Sequence, residues 1–221
     1  ELLPGGKAHE KYLYNLQQIA DMAKACIGAD GKLVPIIFRP FHEMEGGWFW
    51  WGRPHRTPEE FIALWRFTVE YLRDNLEVHN FLYAFSPDCK FFTREEYLID
   101  YPGDNYVDVV GMDNYWDFRP DGANDQVLAG KKIKIVSDLA QEKGKIAAMT
   151  ETGLESIPDS SWFTKKLMPV LQYEGSKIAY VMLWRNDNRM KHHFYAPYPG
   201  HASVPDFLKF YSKFVCNQIK S

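Results

Sequence analysis

Apolar positions along this chain follow two alternating patterns. Short continuous runs occur at 33–39, 80–86, 106–112, 145–150 and 178–184, and most stretches between them place apolar residues three and four apart. Continuous runs predict strands covered on both faces, and three-four spacing predicts helices with one buried stripe. A first helix is expected over 8–27, with Tyr12, Leu16, Ile19, Ala23 and Cys26 on one side. Further helices are expected from Thr57 to about Leu76, from Thr93 to about Asp100, over 124–143 and 160–174, and from Pro205 to about Lys220. Thr57-Pro58-Glu59-Glu60 supplies an N-cap, a proline at the first helical position and a capping glutamate.

Strand then helix, five times over after an initial helix, means a parallel sheet flanked by helices. An open doubly wound sheet and a closed barrel both satisfy that order. The open sheet would more often carry a glycine-rich phosphate loop, and neither a G-x-G-x-x-G nor a Walker pattern is present. Every strand instead ends in polar or aromatic residues: Arg39/His42/Glu43, Ser86/Asp88, Asp113/Asn114/Tyr115, Glu151 and Trp184/Arg185/Asn186. Sites assembled from many strand ends are the habit of the (β/α)8 barrel. Five strands cannot close a barrel that usually needs roughly 250 residues. Residues 1–221 are therefore expected to form one catalytic domain supplying about five βα units, strands four to eight, with the missing N-terminal segment coming from the parent chain or a second polypeptide.

Composition narrows the function. A net charge of −3 with no basic cluster argues against nucleic acid as a partner. No apolar stretch approaches the roughly 18 residues of a membrane span. Cys26, Cys89 and Cys216 are too few and too widely spaced for a disulfide framework or a zinc site. Cys26 and Cys216 fall in apolar helical segments and are expected to be buried thiols; a nucleophilic Cys89 between Asp88 and Lys90 has no other support. His192-His193 lack the i, i+4 spacing of a helical metal pair. No cofactor or metal is expected.

Candidate chemistry concentrates after the first run. Arg39-Pro40-Phe41-His42-Glu43 is followed by Gly46-Gly47-Trp48-Phe49-Trp50-Trp51-Gly52, four aromatics in a glycine-bounded loop. Such aromatics suit the flat, weakly polar faces of pyranose rings. Glu43 and Glu151 each end a predicted strand, three strands apart, and paired carboxylates across a barrel mouth can divide glycoside hydrolysis. The aromatic surroundings of Glu43 suit a proton donor, and Tyr115 or Arg39 is placed to hold Glu151 ionised.

Arg39-Pro40-Phe41-His42-Glu43-Met44 with Gly47-Trp48-Phe49-Trp50-Trp51-Gly52 resembles the acid/base motif of glycoside hydrolase family 26, whose best-known members are β-mannanases. Gly111-Met112-Asp113-Asn114-Tyr115, Thr150-Glu151-Thr152-Gly153, Leu183-Trp184-Arg185-Asn186 and the stretch His192 to His201 resemble that family in the same order. The resemblance implies a (β/α)8 barrel that cleaves β-1,4-mannosidic bonds of mannan or galactomannan with retention, in a secreted, periplasmic or cell-surface setting. By it Glu43 is the acid/base and Glu151 the nucleophile. His42, Trp48, Tyr115, Trp184 and Arg185 match residues lining the sugar subsites; Arg39 and Trp51 join them as candidate substrate contacts. Glu45 departs from the asparagine common in the family, and the Trp-His pair that ends the family's third strand has no counterpart here. Two alternatives remain open: a same-family hydrolase acting on β-1,3-xylan or mixed-linkage glucan, and a carbohydrate-binding protein without turnover.

Overall fold

The computed structural model describes residues 1–219. Its helices are α1 (His9–Ala25), α2 (Pro58–Glu70), α3 (Arg94–Leu98), α4 (Gln126–Lys143), α5 (Met168–Leu171) and α6 (Val204–Ile219). Its strands are β1 (Ile36–Phe38), β2 (Phe81–Phe85), β3 (Val109–Asn114), β4 (Ile146–Thr152) and β5 (Tyr180–Leu183). The five strands stand in sequence order, β1-β2-β3-β4-β5, and the end pairs are parallel. Ile36 lies opposite Phe81 and Phe38 opposite Tyr83. Between β4 and β5 the register shifts between Met149 and Thr152.

The expectation that the run at 33–39 is covered on both faces fails. Ile37 is 46% exposed and Leu33 and Val34 are open as well. The reason is position: among the described residues, β1 has a hydrogen-bonded strand neighbour on one side only, in β2. Strand β5, at the other end of the order, is half-buried throughout, whereas every residue of β3 is buried. An apolar run marks a strand, but only its neighbours decide how much of it water reaches.

The residues pack into two compact units, Glu1–Phe85 with Tyr97–Val109, and Ser86–Glu96 with Val110 onward. In the first, α1 buries Tyr12, Leu16, Ala20 and Ala23. Thr68 Oγ1 donates to the Leu64 carbonyl at 2.7 Å, so the Tyr12 hydroxyl donates to Thr68 at 2.5 Å. Cys26 lies past the helix end and is half-buried, a correction to the buried thiol expected there, because the chain turns outward at Gly28–Lys32. Helix α2 starts on the reciprocal cap: the Glu60 N–H donates to Thr57 Oγ1 at 3.3 Å and the Thr57 N–H to Glu60 Oε2 at 2.8 Å. Phe61, Trp65 and Val69 form its buried stripe, and the Trp65 indole donates to the Tyr106 carbonyl at 3.0 Å.

In the second unit, α4 begins at Asp125, whose carboxylate accepts from the Val127 and Leu128 N–H groups at 2.9 and 3.0 Å. It buries Ala129, Ile133, Val136, Leu139 and Ala140, and also Lys132. Trp162, Phe163, Leu167 and Phe118 fill the adjoining core. The predicted burial of Cys216 lies outside the described side chains. No described helix is long and apolar enough to cross a membrane.

Candidate active site

The loop leaving β1 belongs to the first unit. Phe41 and Glu43 both take positive φ, +52° each, on either side of His42. Non-glycine residues are rare in that region, and the surroundings must over-determine them to keep them there. Phe41 meets edge-on the rings of Trp50, Trp51 and Phe61, at centroid distances of 6.2, 6.0 and 6.2 Å. The reversal carries Glu43 back onto its own loop, where the Trp48 indole N–H donates to Glu43 Oε2 at 2.8 Å. Gly46 makes that approach possible: a Cβ there would lie 2.4 Å from the Trp48 ring.

The four aromatics divide their labour. Trp48 and Trp50 are 50% and 57% exposed. Phe49 and Trp51 stack on each other at 4.3 Å, His42 lies 4.9 Å from Phe49, and the Trp51 indole donates to the His42 carbonyl at 2.8 Å. Trp51 thus braces the loop while Trp48 offers a ring to solvent, and Arg39 is half-buried just past β1. Arg56 ties the loop from below. Its guanidinium donates to the Met44 carbonyl at 2.8 Å, to the Trp51 carbonyl at 2.9 Å and to the carboxylate of Asp100, and lies 4.5 Å over the Phe61 ring.

The second carboxylate stands in the other unit. Glu151 lies in β4, 3% exposed, and accepts a hydrogen bond from the Tyr115 hydroxyl at 2.8 Å. A phenol donor on a buried carboxylate holds its orientation. Tyr115 follows directly on β3, so adjacent strands present the pair together. One residue before Glu151, Thr150 donates to Asp113 at 2.7 Å; one after, Thr152 donates to the Asn114 carbonyl at 2.7 Å. The side chain of Thr150 fits because Gly111 has none: a Cβ there would lie 2.5 Å from Thr150 Cγ2.

After β5, Trp184 is 38% exposed and its N–H donates to the Thr152 carbonyl at 3.1 Å. Arg185 Nε donates to His193 Nε2 at 3.2 Å, which leaves His193 Nδ1–H for Glu155 at 2.7 Å. Both imidazole nitrogens are therefore in use. Cys89 is buried, and burial first, then the charge of Asp88, pushes its thiol far above the ordinary range. That removes it as a nucleophile. Sequence reasoning missed three residues in this neighbourhood: Arg56 beneath the aromatic loop, Glu155 beside His193, and Lys132, which reaches Asp117 behind Tyr115. Lys132 had a visible signal, since it lies three after Ala129 and four before Val136 on the apolar face of α4.

A sequence model of glycosyl hydrolase family 26 matches residues 3–166. A mannan endo-1,4-beta-mannosidase of Bifidobacterium adolescentis is 39% identical over 227 aligned residues, covering 95% of this chain and 22% of that protein. Among solved structures, GH26C from a Muricauda species superposes with a TM-score of 0.89 at 47% identity, over 96% of this chain and 57% of that one. A GH26 beta-mannanase from Bacteroides ovatus superposes with a TM-score of 0.87 at 40% identity, over 95% and 59%. The chain thus spans little more than half the length of these solved relatives, and its fold class is the (β/α)8 barrel, of which it holds five βα units.

Proposed function

The chain belongs to glycosyl hydrolase family 26, and from that membership we propose that the protein carrying it hydrolyses β-1,4-mannosidic bonds of mannan or galactomannan internally, with retention of anomeric configuration. Glu43 is assigned as acid/base and Glu151 as nucleophile. In the first step Glu43 protonates the glycosidic oxygen as Glu151 attacks the anomeric carbon, and the aglycone leaves. In the second, the Glu43 carboxylate takes a proton from water, which displaces Glu151 from the glycosyl ester. The Trp48 indole N–H donates to Oε2 of Glu43 and helps aim that carboxyl group. Trp48 and Trp184 offer exposed faces for stacking pyranose rings; Arg39, His42, Trp51, Tyr115 and Arg185 are assigned to hold or flank the sugar.

The observation that carries this reading is the 2.8 Å bond from Tyr115 to the buried Glu151 at the end of β4. A phenol donor keeps a carboxylate aimed in one direction, which a nucleophile needs and a structural carboxylate does not. We assign the remaining barrel units to the parent chain or a second polypeptide, because five strands do not close an eight-stranded barrel. A polymer substrate of this size is met outside the cytoplasm, so a secreted, periplasmic or cell-surface location fits the activity.

The test uses Glu43→Gln and Glu151→Gln in the full-length protein. Each should abolish turnover of linear mannan. With an activated aryl mannoside, the Glu43 variant should release a stoichiometric burst of phenol and trap the glycosyl ester, and the Glu151 variant should release none. Initial formation of the α-anomer, seen by proton NMR, would refute retention. Faster hydrolysis of β-1,3-xylan or mixed-linkage glucan than of mannan would overturn the substrate assignment.

A further inference from the structure

Two residues past Tyr115, Asp117 forms a buried charge pair with Lys132. Asp117 is fully buried, and Lys132 of α4 is 3% exposed. The Lys132 ammonium donates to both carboxylate oxygens of Asp117, at 2.9 and 3.2 Å, and sits 5.0 Å from the centroid of the Phe92 ring. Stripping two full charges of water is costly, and an apolar pair of equal volume usually packs a helix against a loop at least as well. The pair therefore invites a reason beyond packing, and what it touches provides one.

Asp117 closes a four-residue turn on Asn114, with Tyr115 inside it. The Asn114 amide donates to Asp117 Oδ2 at 2.9 Å, and the Asp117 N–H donates to Asn114 Oδ1 at 3.2 Å. The Asn114 carbonyl accepts from Thr152 at 2.7 Å, next to Glu151. At the far end of the loop, the Asp125 N–H donates to the Asp117 carbonyl at 2.9 Å, just where α4 starts. One charged donor, the Lys132 ammonium, and one neutral donor, the Asn114 amide, together fix the plane of this carboxylate, the plane fixes Asn114, and the closed turn fixes the direction in which Tyr115 leaves the backbone. A neutral contact would hold the distance without holding the angle.

We propose that Lys132 is a positioning residue: through Asp117 and Asn114 it sets the Tyr115 turn, and so the hydroxyl that orients Glu151. This rests on the reading of Glu151 as nucleophile given above. It assigns to a lysine on the outer helix a share in the chemistry at the strand end.

The test is a double-mutant cycle on the full-length enzyme with β-1,4-mannohexaose as substrate. Tyr115→Phe should lower kcat with little change in KM. Lys132→Met should lower kcat about 10- to 100-fold by misdirecting the phenol. The double variant should be no slower than Tyr115→Phe alone, because a misaimed hydroxyl that has been removed costs nothing further. In both single variants the acidic limb of the kcat/KM profile should move to higher pH, since a carboxylate that loses a donor holds its proton more tightly. If Lys132→Met does not fold, Asp117→Asn replaces it with the same expectations and a nearly unchanged shape. Equal losses from Lys132→Met in the wild-type and Tyr115→Phe backgrounds, or an unmoved acidic limb, would overturn the proposal and leave the assignment of Glu151 intact. A fully active Tyr115→Phe enzyme would overturn both.

Discussion

Replacing Arg56 by Met removes the clamp under the aromatic loop while keeping most of the hydrophobic stem. Arg56 is 9% exposed at its side chain and shares the 2% exposed carboxylate of Asp100 with Arg53, which is 39% exposed. Stripping one partner from a buried pair costs about 3–5 kcal/mol. Here the loss is buffered twice. Arg53 remains on Asp100 at 2.8 Å, and the Arg53 backbone N–H remains on the Met44 carbonyl at 2.8 Å. The Trp51 carbonyl loses its Arg56 donor, and the cation–π contact with Phe61 is lost, worth about 0.5–2 kcal/mol. The expected loss is therefore near the bottom of the range, about 3 kcal/mol, which in a domain of this size is roughly 6–12 °C in Tm. Arg53→Met, which removes the more exposed partner, should cost no more than about 1 kcal/mol. Guanidinium unfolding monitored by tryptophan fluorescence, with unchanged m-values, provides the comparison. Well below its Tm, Arg56→Met should also show a lower kcat/KM, because Met44 and Trp51 frame the stretch bearing Glu43. Equal losses from the two arginine variants would refute the idea that burial of Arg56 is what makes it a clamp.

Three further outcomes are expected. In a crystal structure of the complete enzyme the carboxyl groups of Glu43 and Glu151 should stand about 5–5.5 Å apart, and a separation of about 6.5–9.5 Å would mean inversion. Gly111→Ala should destabilise by about 1–3 kcal/mol, because the new methyl would meet Thr150, which is 1% exposed and cannot turn aside without losing Asp113; a neutral substitution in thermal unfolding would refute that packing. Burial pushes the phenols of Tyr12 and Tyr83 up to about 12. The folded state then keeps protons that the unfolded chain releases near pH 10, so stability should be full below about pH 10 and fall between about 10 and 12. Denaturation curves across that window, read beside tyrosinate absorbance, would count against it if the midpoint stayed flat.

What the sequence made legible is what local chemistry decides. The Thr57 cap announces itself within four residues, and the strand-end glutamates are visible because each interrupts an apolar run. What stayed hidden depends on partners distant in sequence. The run at 33–39 looks as buried as that at 106–112, and only its place in the strand order exposes Ile37. Lys132 and Asp117 are 15 residues apart; the apolar face of α4 marks Lys132, but nothing local to it names Asp117 as its partner. Trp51 matched a substrate wall, yet its indole N–H is committed to the His42 carbonyl, something no periodicity reveals. The Tyr115 bond to Glu151 was legible because strand neighbours bring their C-terminal ends together, so order alone was enough to pair them.

The left-handed backbone at Glu43 has a consequence for anyone who evolves or engineers this protein. An L-residue held at φ +52° forgoes about 1–2 kcal/mol that glycine would keep. A library randomised at position 43 and sorted only for folding or expression should therefore enrich glycine and asparagine, and the winners would be sturdier and inert. Screens for thermostability will be drawn toward this residue for the same reason. Persistence of glutamate at 43 in a working lineage is then a sign that turnover, and not robustness, is what selection has been measuring.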